Sequence, residues 1–468
     1  MALTSALFSG ISGLDTMGTA MQIIGDNLAN VNTVGFKGST YTFQDLLSQS
    51  VSTQSGTSQV GRGTAMGDIY ASYEQGSFES TGNTTDLAIG GAGFFVLREN
   101  GSDNLFYSRA GNFRFDKDGY LTNPEGYVVQ GWQLDSNGQD VGAIDDVLLS
   151  SFTSPPQETS KIEAIVNLNS DGKDASSGAD TSLSAAWDGT ASPPIGESAY
   201  EYQTSLKAYD SLGSTHDITI YFDKANTAST YEYIVTCNPN EDNRAISGAS
   251  HAGLLARGTI TFASGSGVIT DINMATSNGD GTYTAQSEAT DLTDGHFTFS
   301  PEFISGSPMT VQLDFGSRYD GSAWVNGSLS TSQFARASTT TFQSANGYGA
   351  GDLQGVNVGV DGVITGTYSN GQLLPLYRVG LAKFTNEQGL FKEGGNLFKA
   401  TRESGDAITN RPGTNGLGSI APNSLEQSNV DMATEFVKMI STQRGYQANS
   451  KTITVVDQML QDLINLKR

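Results

Sequence analysis

Apolar residues recur at alternating steps of four and three through the start of this 468-residue chain: Leu3, Leu7, Leu14, Met17, Met21, Ile24, Leu28 and Val31, interrupted by Gly10. That period marks a helix whose apolar seam requires a partner helix. The matching stretch lies at the other end, where no proline follows Pro422. There Phe436, Val437, Ile440, Ile453, Val456, Leu460 and Leu463 fall on a helix-compatible run from Val430 to Leu466. Between the two runs lie roughly four hundred residues rich in Gly, Ser, Thr and Asn with strand-like alternation. The expected fold is mainly β with paired terminal α-helices. It is multidomain, a terminal helical coiled-coil domain carrying nested β domains.

The head helix spans about 30 residues, or roughly 45 Å. Gly10, Gly13, Gly18 and Gly25 lie inside it, each costing about 1 kcal/mol relative to alanine, so the helix alone is marginal. Gly35 supplies a stop signal in NTVGFKG. The tail helix opens at SNVD, where Ser428 and Asp431 stand in capping-box spacing. Its middle, from Ser441 to Thr452, is polar at most seam positions, so the tail seam is the weaker one.

Composition limits the partners. The chain has 49 acids against 25 bases, and residues 158–330 alone hold 22 acids against 7 bases. Such a surface repels phosphate backbones and anionic headgroups, so neither nucleic acid nor membrane insertion is expected. No apolar run approaches the roughly 20 residues of a membrane span. With Cys237 as the single cysteine, no intramolecular disulfide can form. The N-terminus lacks the basic start, continuous apolar core and small-residue cleavage site of a signal peptide, which taken alone favours the cytoplasm and is equally consistent with export of an unfolded, disulfide-free chain by a route that ignores cleavable signals.

Four segments follow from the pattern. Residues 1–35 and 428–468 form the helical domain, and 36–75 with 421–427 an extended linker or arm. Residues 76–157 and 331–420 form a β domain, interrupted by an inserted outer β domain at 158–330. The arm has sparse apolar residues and reads either as a flexible linker or as an extended segment ordered against neighbouring subunits. Motifs for chemistry fail one by one. The glycines from Gly90 to Gly93 precede no helix and read as a turn. Asp116 and Asp118 in DKDG lack the acidic residue a calcium loop needs at its twelfth position, where Tyr127 stands. His216, His251 and His296 show no metal-ligand spacing and read as surface residues. No Ser or Cys nucleophile has an identifiable base. Catalytic, metal-binding and cofactor-binding residues are accordingly not expected. Arg444, Tyr446 and Lys451 in TQRGYQANSK suit packing against a helix better than nucleic acid.

These residues resemble the bacterial flagellar rod/hook axial family. The head ALFSGISGLDTMGTAMQIIGDNLANVNTVGFKGS is similar to the family's N-terminal motif, including Asn27, Asn30, Thr33, Gly35, Phe36 and Lys37. SRAGNFRFDKDGYLTNPEGYVVQGW is similar to its β-domain signature. GTYSNGQ, LAKFTNEQGLFKEGGNLF and the tail from SLEQSNVDMATEF onward follow in family order, with Ser428, Asn429, Asp431, Gln443, Arg444, Tyr446 and Asn449 in the tail motif. Residues 158–330 carry no recognisable resemblance, and their presence points to the hook branch, because rod members lack a large insertion. The resemblance implies a structural subunit without catalysis, polymerising into a flexible helical tube, or universal joint. The tube would pass torque from rod to filament and enclose the export channel, on the extracellular flagellum. It also implies partners: further copies of the chain, a distal rod protein, a hook cap, a hook–filament junction protein and the flagellar type III export apparatus. Some members link subunits through a Cys-derived adduct to Lys; Cys237, near a strand end, is expected instead to be packed. A distal-rod-like axial protein, a β-rich surface adhesin and a secreted hydrolase using the scattered acids are the rival readings, and the adhesin leaves the two terminal helices unexplained.

Overall fold

The computed structural model describes residues 2–466 other than 54–55, 136, 150–151 and 177–181. The side chains of Leu3 and Leu463, both seam positions in the sequence, lie outside the described residues. The chain is mainly β and divides into two compact units. One comprises Met1–Phe152, Leu353–Tyr368 and Gln372–Arg468, and the other Thr153–Asp352 with Ser369–Gly371.

In the first unit the head helix Ala2–Ala29 packs against the tail helix Met432–Leu466. The head helix stops at Ala29, short of the seam position Val31, and the tail begins later than its cap motif suggests. Asp431 is the cap: its carboxylate accepts from Ala433 N at 3.0 Å and from Thr434 Oγ1 at 2.6 Å. Those bonds, the Thr434 hydroxyl foremost, hold the Asp431 carboxyl below the usual range. Ser428 Oγ accepts only from Val430 N, at 3.3 Å. An aspartate one residue before the first helical turn satisfies orphan amides and meets the positive end of the dipole, so it displaces the serine.

Residues 36–75 contain neither a linker nor a lone extended strand. They fold back as a β-hairpin: Ser39–Asp45 pairs with Thr64–Ala71 and Gln49–Thr53 with Gly56–Val60, all antiparallel. Thr, Tyr, Val and Ile supply the β propensity, with Tyr41 opposite Ile69 and Phe43 opposite Met66. The hairpin base lies on the head helix, where Thr64 N donates to Ser12 Oγ at 3.2 Å.

The β body of this unit joins segments far apart in sequence. Phe94–Glu99 pairs with Leu105–Ser108 and with Tyr127–Leu134; the latter pairs with Leu373–Val379, which in turn pairs with Val363–Tyr368. Phe94 and Val96 face one cluster with Tyr107, Phe384 and Phe398, while Phe95 and Leu97 face another with Leu87, Phe113, Val129 and Ile364. A strand covered on both faces reads as the unbroken apolar run FFVL. The two aspartates of DKDG make a turn, with Asp116 Oδ1 accepting from Asp118 N at 2.9 Å and Tyr120 N at 2.8 Å.

The second unit contains an up-and-down sheet of six strands in chain order, from Tyr202–Tyr209 through Thr215–Lys224, Thr230–Cys237, Leu254–Phe262 and Ile269–Ser277 to Tyr283–Ala285. Its apolar face shares one core with Lys161–Asn169, including Ile162, Val166, Phe222, Tyr233, Phe299 and Phe315. Thr339–Ala345 pairs antiparallel with Lys161–Asn169. The segment 331–352, given by the sequence pattern to the returning β domain, therefore belongs to this unit. Cys237 ends a strand, is 5% exposed, and burial pushes its thiol above the ordinary range. Two histidines are not surface residues. His216 stacks on Phe303 at 3.8 Å between Asp210 and Glu241, and His296 is 7% exposed beside Asp314. Isolated polar residues in a strand-rich sequence give no cue that His216 will stack on an aromatic ring or that His296 will be buried.

Within the first unit Leu353 N donates to Phe152 O at 2.7 Å, so the points where the chain leaves and returns are adjacent. Deleting 153–352 and joining Phe152 to Leu353 through a few Gly and Ser residues should leave a soluble protein. It should unfold in one cooperative transition with a mixed helix and strand circular-dichroism spectrum; a molten product would show that the first unit depends on the second.

Candidate assembly site

The head-motif residues converge where the helices enter the β body. Past the head helix, Thr33 Oγ1 donates to Asn30 Oδ1 at 3.1 Å and the chain turns through Gly35 at φ +69°. A Cβ there would meet Ala110 N at 2.5 Å, so the position excludes any side chain. Asn27 grips Ser39 twice, Nδ2 donating to its carbonyl and Oδ1 accepting from its amide, both at 2.8 Å. Asn429 does the same work from the tail. It accepts from Gly38 N at 2.9 Å and donates to Ser72 O at 2.8 Å and Glu74 O at 3.0 Å. Phe36 is half-buried, with the Lys392 ammonium 5.6 Å from its ring centre.

At the centre is a buried charge cluster. The Lys37 ammonium donates to Glu426 Oε1 at 2.7 Å and to Glu74 O at 2.8 Å; both charged side chains are wholly inaccessible. Glu426 Oε1 also accepts from Gly76 N at 2.9 Å, and Oε2 from the nearly buried Arg109 guanidinium at 3.5 Å. Arg109 lies 5.3 Å from the Phe94 ring centre. Burial pushes both the Lys37 and the Arg109 cations below their ordinary ranges, with the Glu426 carboxylate opposing the shift. Lys37 carries a family-motif position, whereas Glu426 and Arg109 were hidden from sequence reasoning. A single acid in SLEQ and a single base in SRAG look like ordinary turn charges until the fold brings them together.

The helix pair is antiparallel, and its contact differs from the seam read in the sequence. Gly10 faces Ile453, Gly13 faces Asn449 and Gly445 faces Met17, while Asn27 Nδ2 donates to Glu435 Oε2 at 3.4 Å. A Cβ on Gly13 would come within 2.5 Å of the Asn449 amide. The buried residues of the head helix are Gly10, Gly13, Thr16, Ala20, Ile23, Ile24 and Asn27. Of the large seam residues Ile24 is buried, and Leu7, Leu14, Met17, Met21, Leu28 and Val31 are half-buried. On the tail helix Val456 is buried and Ile453 and Leu460 are half-buried, whereas Phe436, Val437 and Ile440 are 45%, 68% and 51% exposed. Gln443, Arg444 and Tyr446 also face solvent. Glycines that weaken a lone helix thus let the two backbones approach, and the larger apolar residues are left facing outward.

Removing one partner from the charge cluster leaves uncompensated charge in the interior. Glu426→Gln should destabilise the first unit by about 3–5 kcal/mol, read from the urea midpoint. The double variant Lys37→Met/Glu426→Gln should cost less than the two single changes together. Strict additivity would show that the two groups act independently.

Four family models match along the chain. They are described as "Flagella basal body rod protein" over residues 7–37, "Flagellar hook protein FlgE/F/G D1 domain" over 88–172, "Flagellar basal body protein FlaE D2 domain" over 167–348, and "Flagellar basal body rod FlgEFG protein C-terminal" over 421–466. The middle of the chain, which carries no recognisable resemblance by eye, is thus covered as well. The flagellar hook protein FlgE of Borreliella burgdorferi is 35% identical over 99% of both chains, and that of Treponema pallidum 31% over 99% of both. The Escherichia coli hook protein is 30% identical over 99% of this chain and 100% of its own length. With end-to-end identity to hook proteins and rod/hook models on both terminal helices, this chain belongs to the flagellar hook protein family.

Proposed function

We propose that the chain is the repeating subunit of the flagellar hook, polymerising through its terminal helices into a flexible tube that carries torque from rod to filament and encloses the export channel. The observation that carries this is the helix pair. It spends Gly10, Gly13 and Gly445 on contact within the chain and leaves a row of large apolar side chains outward, from Phe436 to Ile440. A lone soluble subunit has no use for such a row, while an open helical polymer buries it at every step.

In this reading 1–35 and 428–468 line the channel and the hairpin at 36–75 reaches along the tube. The strongly acidic inserted unit belongs to the outside, where polar contacts can break and re-form as the joint bends. The role is structural, without catalysis. The partners are further copies, the distal rod protein at the base, the hook cap during growth, the hook–filament junction protein at the tip and the type III export apparatus. The assembled protein is extracellular. A distal-rod-like shaft is the nearest alternative, and the large inserted unit together with full-length identity to hook proteins favours the hook.

Purified protein at high concentration should form tubes visible by electron microscopy. Met21→Asp or Leu28→Asp should abolish them without altering the β-sheet spectrum, while Gln22→Asp, on the exposed side of the same helix, should be tolerated. The deletion variant lacking 153–352 should still polymerise. A folded deletion variant that never forms tubes would place the inserted unit in the assembly core and overturn this layering.

A further inference from the structure

His296 follows a tight turn in the inserted unit. Asp294 and Gly295 both take positive φ, +53° and +80°, and the backbones of Thr293 and His296 exchange hydrogen bonds at 2.9 and 3.0 Å. A Cβ on Gly295 would lie 2.5 Å from the Arg318 side chain and 2.6 Å from Tyr319 O, so the turn abuts the strand Ser317–Tyr319. Beyond it, Phe297–Phe299 pairs with Val311–Asp314, which pairs in turn with Lys161–Asn169. The His296 ring is thereby fixed at the wall of a cleft of about 450 Å³, lined also by Glu163, Asp314, Arg318, Asn326 and Phe342. The residue is 7% exposed, and its Nδ1, cut off from solvent, has no hydrogen-bond partner among the described residues. Asp314 is close but engaged. Its Oδ1 lies 3.7 Å from Nδ1 and accepts from Gly316 N at 2.6 Å, while Oδ2 holds the Lys161 ammonium at 2.9 Å. His216 in the same unit has carboxylate oxygens 2.7 and 3.2 Å from its two ring nitrogens. His296 has no such contact among the described residues.

We propose that His296 is an acid-operated latch of the inserted unit: a proton gained by its ring loosens the turn at Thr293–His296 and the strands beside the cleft, and the cleft opens. The neutral ring suits its site. An uncharged imidazole buried there leaves one hydrogen bond unmade, whereas an imidazolium is a buried charge. The charged groups around it do not offset that charge. Asp294, in the same turn, accepts from Gln312 Nε2 at 3.4 Å. Asp314 and Glu163 share the Lys161 ammonium, and Arg318 adds a second cation at the cleft. Burial accordingly pushes the ring below its ordinary range, with Asp314 and, more weakly, Asp294 opposing and Lys161 and Arg318 reinforcing. The folded ring is thus harder to protonate than the unfolded one. Its contribution to stability is complete above about pH 6.5 and is lost as the pH drops toward the folded value. The latch belongs to the inserted unit alone and does not depend on assembly.

Hydrogen exchange of the full chain, corrected for the intrinsic effect of acidity, tests this between about pH 7.5 and 5.5. Peptides covering 293–299 and 311–326 should lose protection roughly tenfold at the acid end. Those over Thr230–Cys237 and Leu254–Phe262 should not change. His296→Gln keeps a polar side chain that gains no proton in this range, and should exchange alike at both values. Followed by NMR, the His296 imidazole should titrate below about pH 6.5. Equal protection of the unmodified chain at the two values overturns the latch, and so does a titration midpoint at or above that of a free imidazole. A His296→Gln chain that still loses protection in acid overturns it too, because another group then carries the response. Exchange and titration are both read on the unmodified chain, so they decide the matter even where the variant does not fold.

Discussion

Everything in the first unit hangs on the wholly buried carboxylate of Glu426. It holds the Lys37 ammonium that follows the head helix, the Arg109 guanidinium of the β body and the Gly76 amide where the hairpin returns. Its own backbone carbonyl accepts from Gly35 N at 2.7 Å. Four segments that leave in different directions are thereby joined at one side chain. A buried ion pair adds little net stability compared with a well-packed apolar filling. What it does is penalise every arrangement in which one charge is buried without the other. The tail helix starts six residues beyond Glu426 and the head helix ends eight before Lys37, so the cluster fixes where both helices meet the body.

Downstream of that anchor, packing within the chain takes only the small-residue stripe of the head helix. Four glycines in the head helix cost about 1 kcal/mol each in propensity. Two of them, Gly10 and Gly13, recover that cost by letting Ile453 and Asn449 approach the backbone. Gly18 and Gly25 have nothing within 4 Å of a built Cβ, so within a single chain their cost has no such offset. A contact built on small residues on one helix needs only a narrow stripe of the other. The helices can therefore pair inside the subunit and still present Leu14, Met21, Phe436 and Ile440 on other faces.

Legibility in the sequence followed periodicity. The two helices were readable because period 3.6 survives in the chain, and the central strand of the body because it reads as the apolar run FFVL. The hairpin at 39–71 was hidden because its strands are polar and leave Phe43, Leu47, Val60 and Ile69 exposed. A counting argument that equates strands with buried apolar residues sees only a linker there. The intrachain stripe was hidden for the opposite reason. Apolar periodicity selects the bulky residues, and the contact uses the small ones. The charge cluster had no local signal, since Lys37, Arg109 and Glu426 stand up to 389 positions apart.

The inserted unit then follows from the same economy. Leu353 N donates to Phe152 O where the chain leaves the first unit and returns to it, and the core of the inserted unit is its own, built on Phe222, Tyr233 and Phe315. Most of the excess of acids falls within it, 22 against 7 bases over 158–330, while the exposed apolar row of the tail helix belongs to the first unit. A highly charged surface opposes close apolar packing through self-repulsion, so dividing the two between units with separate cores lets the chain hold both surface chemistries.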